Sequence, residues 1–136
     1  MLFIPDKIGS FEGGSALWFA QHLLKHPESR LVCLDTWEGS PEFADTVCTM
    51  LVFCSLSPQA RFRWNMAKTG RAQRIQAIKG DSMLLQSTLV ATGQSSSFDV
   101  IYVDASHRMA DALVDCLLAF RLLKVGGIMI VDDEIL

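Results

Sequence analysis

Val100-Ile101-Tyr102-Val103-Asp104 is an unbroken apolar run closed by a carboxylate. Leu31-Val32-Cys33-Leu34-Asp35 repeats the pattern, and Ile128-Met129-Ile130-Val131 ends in two acids, Asp132 and Asp133. Uninterrupted runs of this length suit strands buried on both faces of a parallel sheet, because a strand with one wet face alternates instead. Ile75-Gln76-Ala77-Ile78 is a weaker candidate, closed by Lys79-Gly80.

Helical spacing fills the intervals. Leu17, Ala20, Leu23 and Leu24 recur over residues 15–26, with Pro27 as the stop. Over residues 108–123, Met109, Ala112, Leu113, Cys116, Leu117 and Phe120 form the expected buried stripe. Asp111 and Asp115 fall on the other side, and Gly126-Gly127 is the expected stop. Residues 59–69 and 82–91 read as two further helices. The first strand is drawn from Leu2–Ile8, although Pro5 removes a ladder hydrogen bond there. The alternation predicts an α/β domain, a Rossmann-like open parallel sheet in the order 3-2-1-4-5 with helices on both faces. Val47–Leu56, bracketed by Pro41 and Pro58, suits either a buried extra helix or a lid.

Composition bounds the function. The chain has 136 residues, half of them apolar, which is enough for one domain with one core. Twelve basic against fifteen acidic residues give a net charge of −3, with no positive balance toward nucleic acid or an anionic membrane. The longest uncharged stretch, residues 82–98, is broken by glutamine, serine, threonine and glycine, so it reads as neither a membrane span nor a signal segment. Cys33, Cys48, Cys54 and Cys116 lack metal-site spacing and read as reduced thiols of a cytoplasmic protein.

The chemistry gathers at the strand ends. Gly9-Ser10-Phe11-Glu12-Gly13-Gly14-Ser15 follows the first strand and opens the first helix. Glycines let the backbone turn tightly beside a ligand, and the helix N-terminus offers amide donors. The interval from Gly9 to Gly13 is not the G-x-G-x-x-G of dinucleotide enzymes. Asp35 ends the second run; it either accepts both hydroxyls of a ribose or caps the loop near Trp37. An acid there serves NAD equally well, so a nucleotide-binding oxidoreductase is the rival reading. Asp81 and Ser82, after Gly80, either cap the next helix or meet an adenine edge.

Asp104, Asp132 and Asp133 come together if the last two strands are neighbours. Three carboxylates so close repel unless they share a proton or a cation, which points to a hard divalent ion such as Mg²⁺. The alternative is that they fan outward into solvent. His107, three residues past Asp104, either takes a proton from a substrate hydroxyl or serves as a cap.

Ile8–Ser15, Asp35-Thr36-Trp37-Glu38-Gly39, Ile78-Lys79-Gly80-Asp81-Ser82, Val103-Asp104-Ala105-Ser106-His107 and Leu123–Ile128, followed by Asp132-Asp133, resemble the class I S-adenosylmethionine-dependent methyltransferases. The likeness is to the small methyltransferase-domain group related to sugar and macrolide O-methyltransferases, and it spans residues 7–134. It implies that Gly9, Ser10, Phe11 and Gly13 pass beside the methionine part of the cofactor and that Ser15 helps hold its carboxylate. Asp35, with Thr36 and Trp37 beside it, would hold the ribose, and Asp81 or Ser82 would lie at the adenine. Asp104, Asp132 and Asp133 match the metal-binding acids of cation-dependent members. His107 falls where catechol-type relatives carry a lysine base. The implied substrate is a small molecule with a hydroxyl or vicinal diol.

Two departures shape the remaining expectations. Family members usually carry an acid directly before the Ile-Gly pair, where this chain has Lys7, with Asp6 one place earlier. The family fold also has a sixth and a seventh strand, and this sequence stops four residues after Asp132. The expectation is a single, incomplete methyltransferase-like domain over residues 1–136 whose fifth strand is an exposed edge. Weak or absent methyl transfer, a non-catalytic binding or assembly role, and self-association through that edge follow from it.

Overall fold

The computed structural model describes residues 5–38, 57–104 and 108–132, with side chains from Ile8 onward in the first segment. Strand β1 (Pro5–Ile8) leads into helix α1 (Gly14–His22) and strand β2 (Leu31–Asp35). Helix α2 (Pro58–Lys68) and a short 3₁₀ turn (Ala72–Arg74) precede strand β3 (Ile75–Lys79). Helix α3 (Ser82–Ala91), strand β4 (Phe98–Val103), helix α4 (Met109–Leu122) and strand β5 (Leu123–Val131) complete the series.

The five strands among the described residues join one parallel sheet in the order β3-β2-β1-β4-β5. Pro5 is tolerated in the central strand because it is the first residue of that strand, where a missing N–H interrupts the ladder least. Two apolar clusters form on opposite faces. Ala16, Phe19, Ala20 and Leu24 of the α1 segment meet Leu31, Cys33, Phe62 and Met66 on one. Ile8, Val32, Leu34, Ile101 and Val103 meet Ala119 and Leu122 on the other, with Leu85 and Leu89 of α3 packed against them.

Local chemistry sets the ends of the helices. Ser57 caps α2 by accepting from Ala60 N at 3.3 Å, with Pro58 at the first helical position where its lost donor is harmless. Asp81 caps α3 through Leu84 N at 3.0 Å. Helix α1 stops at His22, short of Pro27. Two arginines hold the carbonyls at its end: Arg71 donates to Ala20 O and Gln21 O, and Arg74 donates to Leu24 O and to His26 O at 2.7 Å. Cations suit this end because the last carbonyls of a helix carry its negative pole.

Helix α4 corrects the sequence reading. Its inward face carries Ala112, Asp115, Ala119 and Leu122, whereas Met109, Leu113, Leu117 and Phe120 are exposed, Phe120 at 68%. Asp115 sits inside because α3 supplies its partners: Ser82 Oγ donates to Oδ2 at 3.0 Å and Gln86 Nε2 to Oδ1 at 2.7 Å. Strand β5 also differs from expectation. It starts directly at Leu123, and Gly126-Gly127 lie inside it rather than serving as a stop. Leu123 pairs with Phe98 and Ile128 with Val100, so the intervening residues bulge, with Gly126 at φ +81°. The reading of Val47–Leu56 falls outside the described residues.

Candidate active site

The carboxyl ends of the strands lie along one crest, and the backbone ladder runs one residue past several of them. Gly9 N donates to Leu34 O, Gly80 N to Asp35 O, Asp104 N to Ile8 O and Asp132 N to Val103 O, each at 2.9 Å. The residues singled out in the sequence therefore share one edge of the sheet, where ligands of open α/β sheets bind.

The glycine turn forms the centre. Ser10 N and Phe11 N donate to Asp35 Oδ2, Phe11 at 2.6 Å, and Trp37 N donates to Asp35 Oδ1 at 2.6 Å. Trp37, itself buried, sends its indole N–H to Phe11 O at 2.8 Å. Gly13 N closes the turn on Ser10 O, and Gly13 O accepts from Leu17 N as α1 begins. Gly13 has φ +92°, and a Cβ there would lie 2.9 Å from both Met66 Cε and Phe62 Cδ2, so glycine is required twice over. Gly13, the N-cap of α1, has no side chain with which to cap the helix. Ser10 is buried, and its Oγ has no hydrogen-bond partner among the described residues. Ser15 lies half-buried in the first turn of α1, and Thr36 accepts from Glu38 N at 3.3 Å.

The other candidates are distributed differently. Asp81 is exposed and occupied in capping α3, while the Ser82 hydroxyl is turned toward Asp115 of α4. Burial is the main cause holding the Asp115 carboxyl above the ordinary carboxylate range; the Ser82 hydrogen bond opposes it. Asp104 and Asp132 follow the paired residues Val103 and Val131, so they share the next register position at the ends of β4 and β5. Tyr102 Oη donates to Asp132 Oδ2. Among the described residues no group of three or more potential metal ligands comes together, and His107 and Asp133 lie outside those residues.

Sequence reasoning missed Arg61 and Asn65. Asn65 Nδ2 donates to Glu12 O at 2.9 Å, and Arg61 pairs with the Glu12 carboxylate at 2.6 Å. The available signal was spacing: Arg61/Asn65 and Phe62/Met66 are two i, i+4 pairs on adjoining stripes of one helix. Tyr102 and Gln86 were likewise hidden, because their partners are distant in sequence.

A parallel sheet whose central strand opens into a glycine turn, with that turn bonded to the acid ending the next strand, defines the class I S-adenosylmethionine-dependent methyltransferase fold. A family model described as a methyltransferase domain matches residues 7–134, and the chain belongs to that family. It is 29% identical over 127 residues to the O-methyltransferase hkm8 of Aspergillus hancockii, covering 93% of this chain and 41% of that protein. Solved methyltransferase structures share the fold, among them two bound to the cofactor or its product. The O-methyltransferase TomG of Streptomyces achromogenes, determined with S-adenosylmethionine, superposes at TM-score 0.67 with 23% identity, covering 94% of this chain and 47% of TomG. An O-methyltransferase of Bacillus cereus, determined with S-adenosylhomocysteine, gives TM-score 0.65 with 22% identity over 94% of this chain and 48% of that one. The chain thus spans less than half the length of each of these relatives. Among the described residues, no helix is long and apolar enough to cross a membrane.

Proposed function

We propose that this chain binds S-adenosylmethionine at the Gly9–Gly13 turn and serves O-methyl transfer to a hydroxyl of a small molecule. One observation carries the reading: the turn is bonded through Ser10 N and Phe11 N to the acid that ends the neighbouring strand, Asp35. The residues present fit the cofactor. Ser10 Oγ, buried without a partner among the described residues, is a polar group in want of a ligand atom, and the start of α1 beside Ser15, whose N-cap is a glycine, suits the carboxylate of the methionine part. A carboxylate offers about four acceptor positions, and the amides of Ser10, Phe11 and Trp37 use three of those on Asp35. One ribose hydroxyl therefore fits without disturbing the turn. Asp81, exposed at the head of α3, is placed to meet the adenine edge.

For the metal, the donor set is all oxygen, as a hard divalent cation such as Mg²⁺ requires. Asp104, Asp132 and Asp133 would hold it; when bound, the ion lowers the pKa of a substrate hydroxyl and orients it, as a vicinal diol suits. Tyr102, by its bond to Asp132, fixes one of these carboxylates in place. His107 is the proposed base. Family membership and the four-residue glycine interval favour the methyl donor over NAD.

Assembly forms part of the same reading. The Ile128 and Ile130 side chains are exposed beside Tyr102, so a second copy pairing along the β5 edge would cover them. The test is calorimetric titration with S-adenosylhomocysteine and, in parallel, NAD, with light scattering on the same sample. Binding of the first alone supports the reading, and binding of NAD alone overturns it. Binding of neither leaves the non-catalytic role. Methyl transfer undiminished by excess EDTA would remove the metal from the reading.

A further inference from the structure

The bend between β1 and α1 is an unfavourable shape for the residues that make it. Phe11 has φ +43°, a left-handed conformation that a residue with a Cβ adopts only when its surroundings impose it. Part of that constraint comes from the sheet, through Asp35 and Trp37. The rest comes from α2, which follows in the chain some fifty residues later. Asn65 donates to the carbonyl of Glu12, Arg61 grips the Glu12 carboxylate at 2.6 Å, and Phe62 and Met66 fill the space at Gly13. The two polar side chains are four residues apart and therefore reach the turn from one side of the helix. Both are half-buried, and Arg61 keeps only 21% of its side chain exposed, so its pairing with Glu12 is shielded more than a surface ion pair.

We infer that Arg61 and Asn65 are positioning residues for the cofactor: they hold the Ser10–Gly13 bend from outside, and the affinity for the ligand is set from α2. This rests on the reading that the turn receives S-adenosylmethionine. Neither side chain needs to touch the ligand. Their contribution is to keep the bend in the one shape that presents Ser10 Oγ and the start of α1 together. A turn that samples other shapes lowers the binding-competent fraction, and the apparent affinity falls by the same factor.

Two readouts on the full chain test this independently. Amide hydrogen exchange, without ligand, is followed at residues 10–13 in Asn65→Ala, Arg61→Ala and Arg61→Lys, with the amides of β2 and β4 as internal references. Calorimetry then gives the dissociation constant for S-adenosylhomocysteine in the same proteins. The expected result is exchange about tenfold faster at Phe11 to Gly13 in Asn65→Ala, with the strand amides unchanged, and binding weakened about five- to tenfold. Arg61→Ala gives the smaller effect of the same kind, and Arg61→Lys restores most of it. Unchanged exchange at the turn overturns the inference, as does faster exchange with unaltered affinity. An equal loss of protection in the turn and the strands also overturns it, since the side chains would then serve only global stability. If the unsubstituted chain binds no S-adenosylhomocysteine, the ligand reading fails; faster local exchange would still uphold the clamp and unchanged exchange would still refute it.

Discussion

Removing the Asp115 carboxylate is the most searching test of how α4 is held. The side chain is fully buried, with one oxygen accepting from Gln86 Nε2 at 2.7 Å and the other from Ser82 Oγ at 3.0 Å. Asp115→Ala leaves a buried amide donor and a half-buried hydroxyl without acceptors. At about 1–3 kcal/mol for each such group, partly offset by relief of the carboxylate's own desolvation, the net loss is about 2–3 kcal/mol. For a domain of this length that lowers Tm by about 10 °C. Asp115→Asn behaves differently. Its carbonyl accepts one bond, and its amide can donate to Gln86 Oε1, which is buried without a partner among the described residues. That variant should stay within about 1 kcal/mol of the parent near neutral pH.

The pH dependence follows from the direction of the Asp115 shift. Burial raises its pKa in the folded state, so the folded chain holds this proton more tightly than the unfolded chain does. The associated stability is fully present below the unfolded carboxylate pKa, about 4, and is lost as pH rises through the raised folded value. The parent should therefore lose stability relative to Asp115→Asn as pH climbs from about 4 through the raised folded value. Urea unfolding followed by circular dichroism, at several pH values for the three proteins, measures both effects. An alanine variant as stable as the parent would refute the hydrogen-bond argument, and a parent-to-asparagine difference flat with pH would refute the burial argument.

Three other outcomes follow from the packing. Gly13→Ala should cost about 2–4 kcal/mol, from a left-handed residue plus contacts at 2.9 Å, and should abolish S-adenosylhomocysteine binding; thermal melts and calorimetry check it. Replacing both Arg71 and Arg74 with alanine should destabilise the chain by about 2–4 kcal/mol, because both hold carbonyls at the end of α1, and denaturant midpoints report it. Leu117→Glu combined with Phe120→Glu should leave the unfolding free energy within about 0.5 kcal/mol, as both side chains are exposed, and urea unfolding checks it.

The parallel α/β class was legible because buried strands announce themselves locally, as in Val100–Val103, whose neighbours in sequence already specify its surroundings. The glycine turn and the aspartates were legible for a related reason: glycine at Gly13 and acids at strand ends are demands of backbone shape and of position along a strand. The inward face of α4 was not. An aspartate at helical spacing opposite four large apolar residues reads as a solvent-facing group, and only Ser82 and Gln86, some thirty residues upstream, reverse that reading. Arg61 and Asn65 escaped for the same cause, since a polar pair on a helix is ordinarily a wet face and its partner Glu12 is remote. Gly126-Gly127 misled differently: glycine marks a stop and a bulge with one signal, and strand pairing alone separates them.

That bulge also governs phase. Strand side chains alternate, so every residue beyond Gly127 owes its orientation to the number of residues between Leu123 and Ile128. Deleting one of them would exchange the two sides of the strand: Ile128 and Ile130 would swap places with Met129 and Val131, and Asp132 would turn from Tyr102 toward the helices α3 and α4. The acid would still be present in the sequence, at the end of the same strand, yet its carboxylate would point through the sheet. A length change of one residue between Leu123 and Ile128 is therefore a more severe edit than the loss of any single exposed side chain on the strand, and homologous sequences should tolerate insertions and deletions in the exposed turn at residues 92–97 far more readily than here.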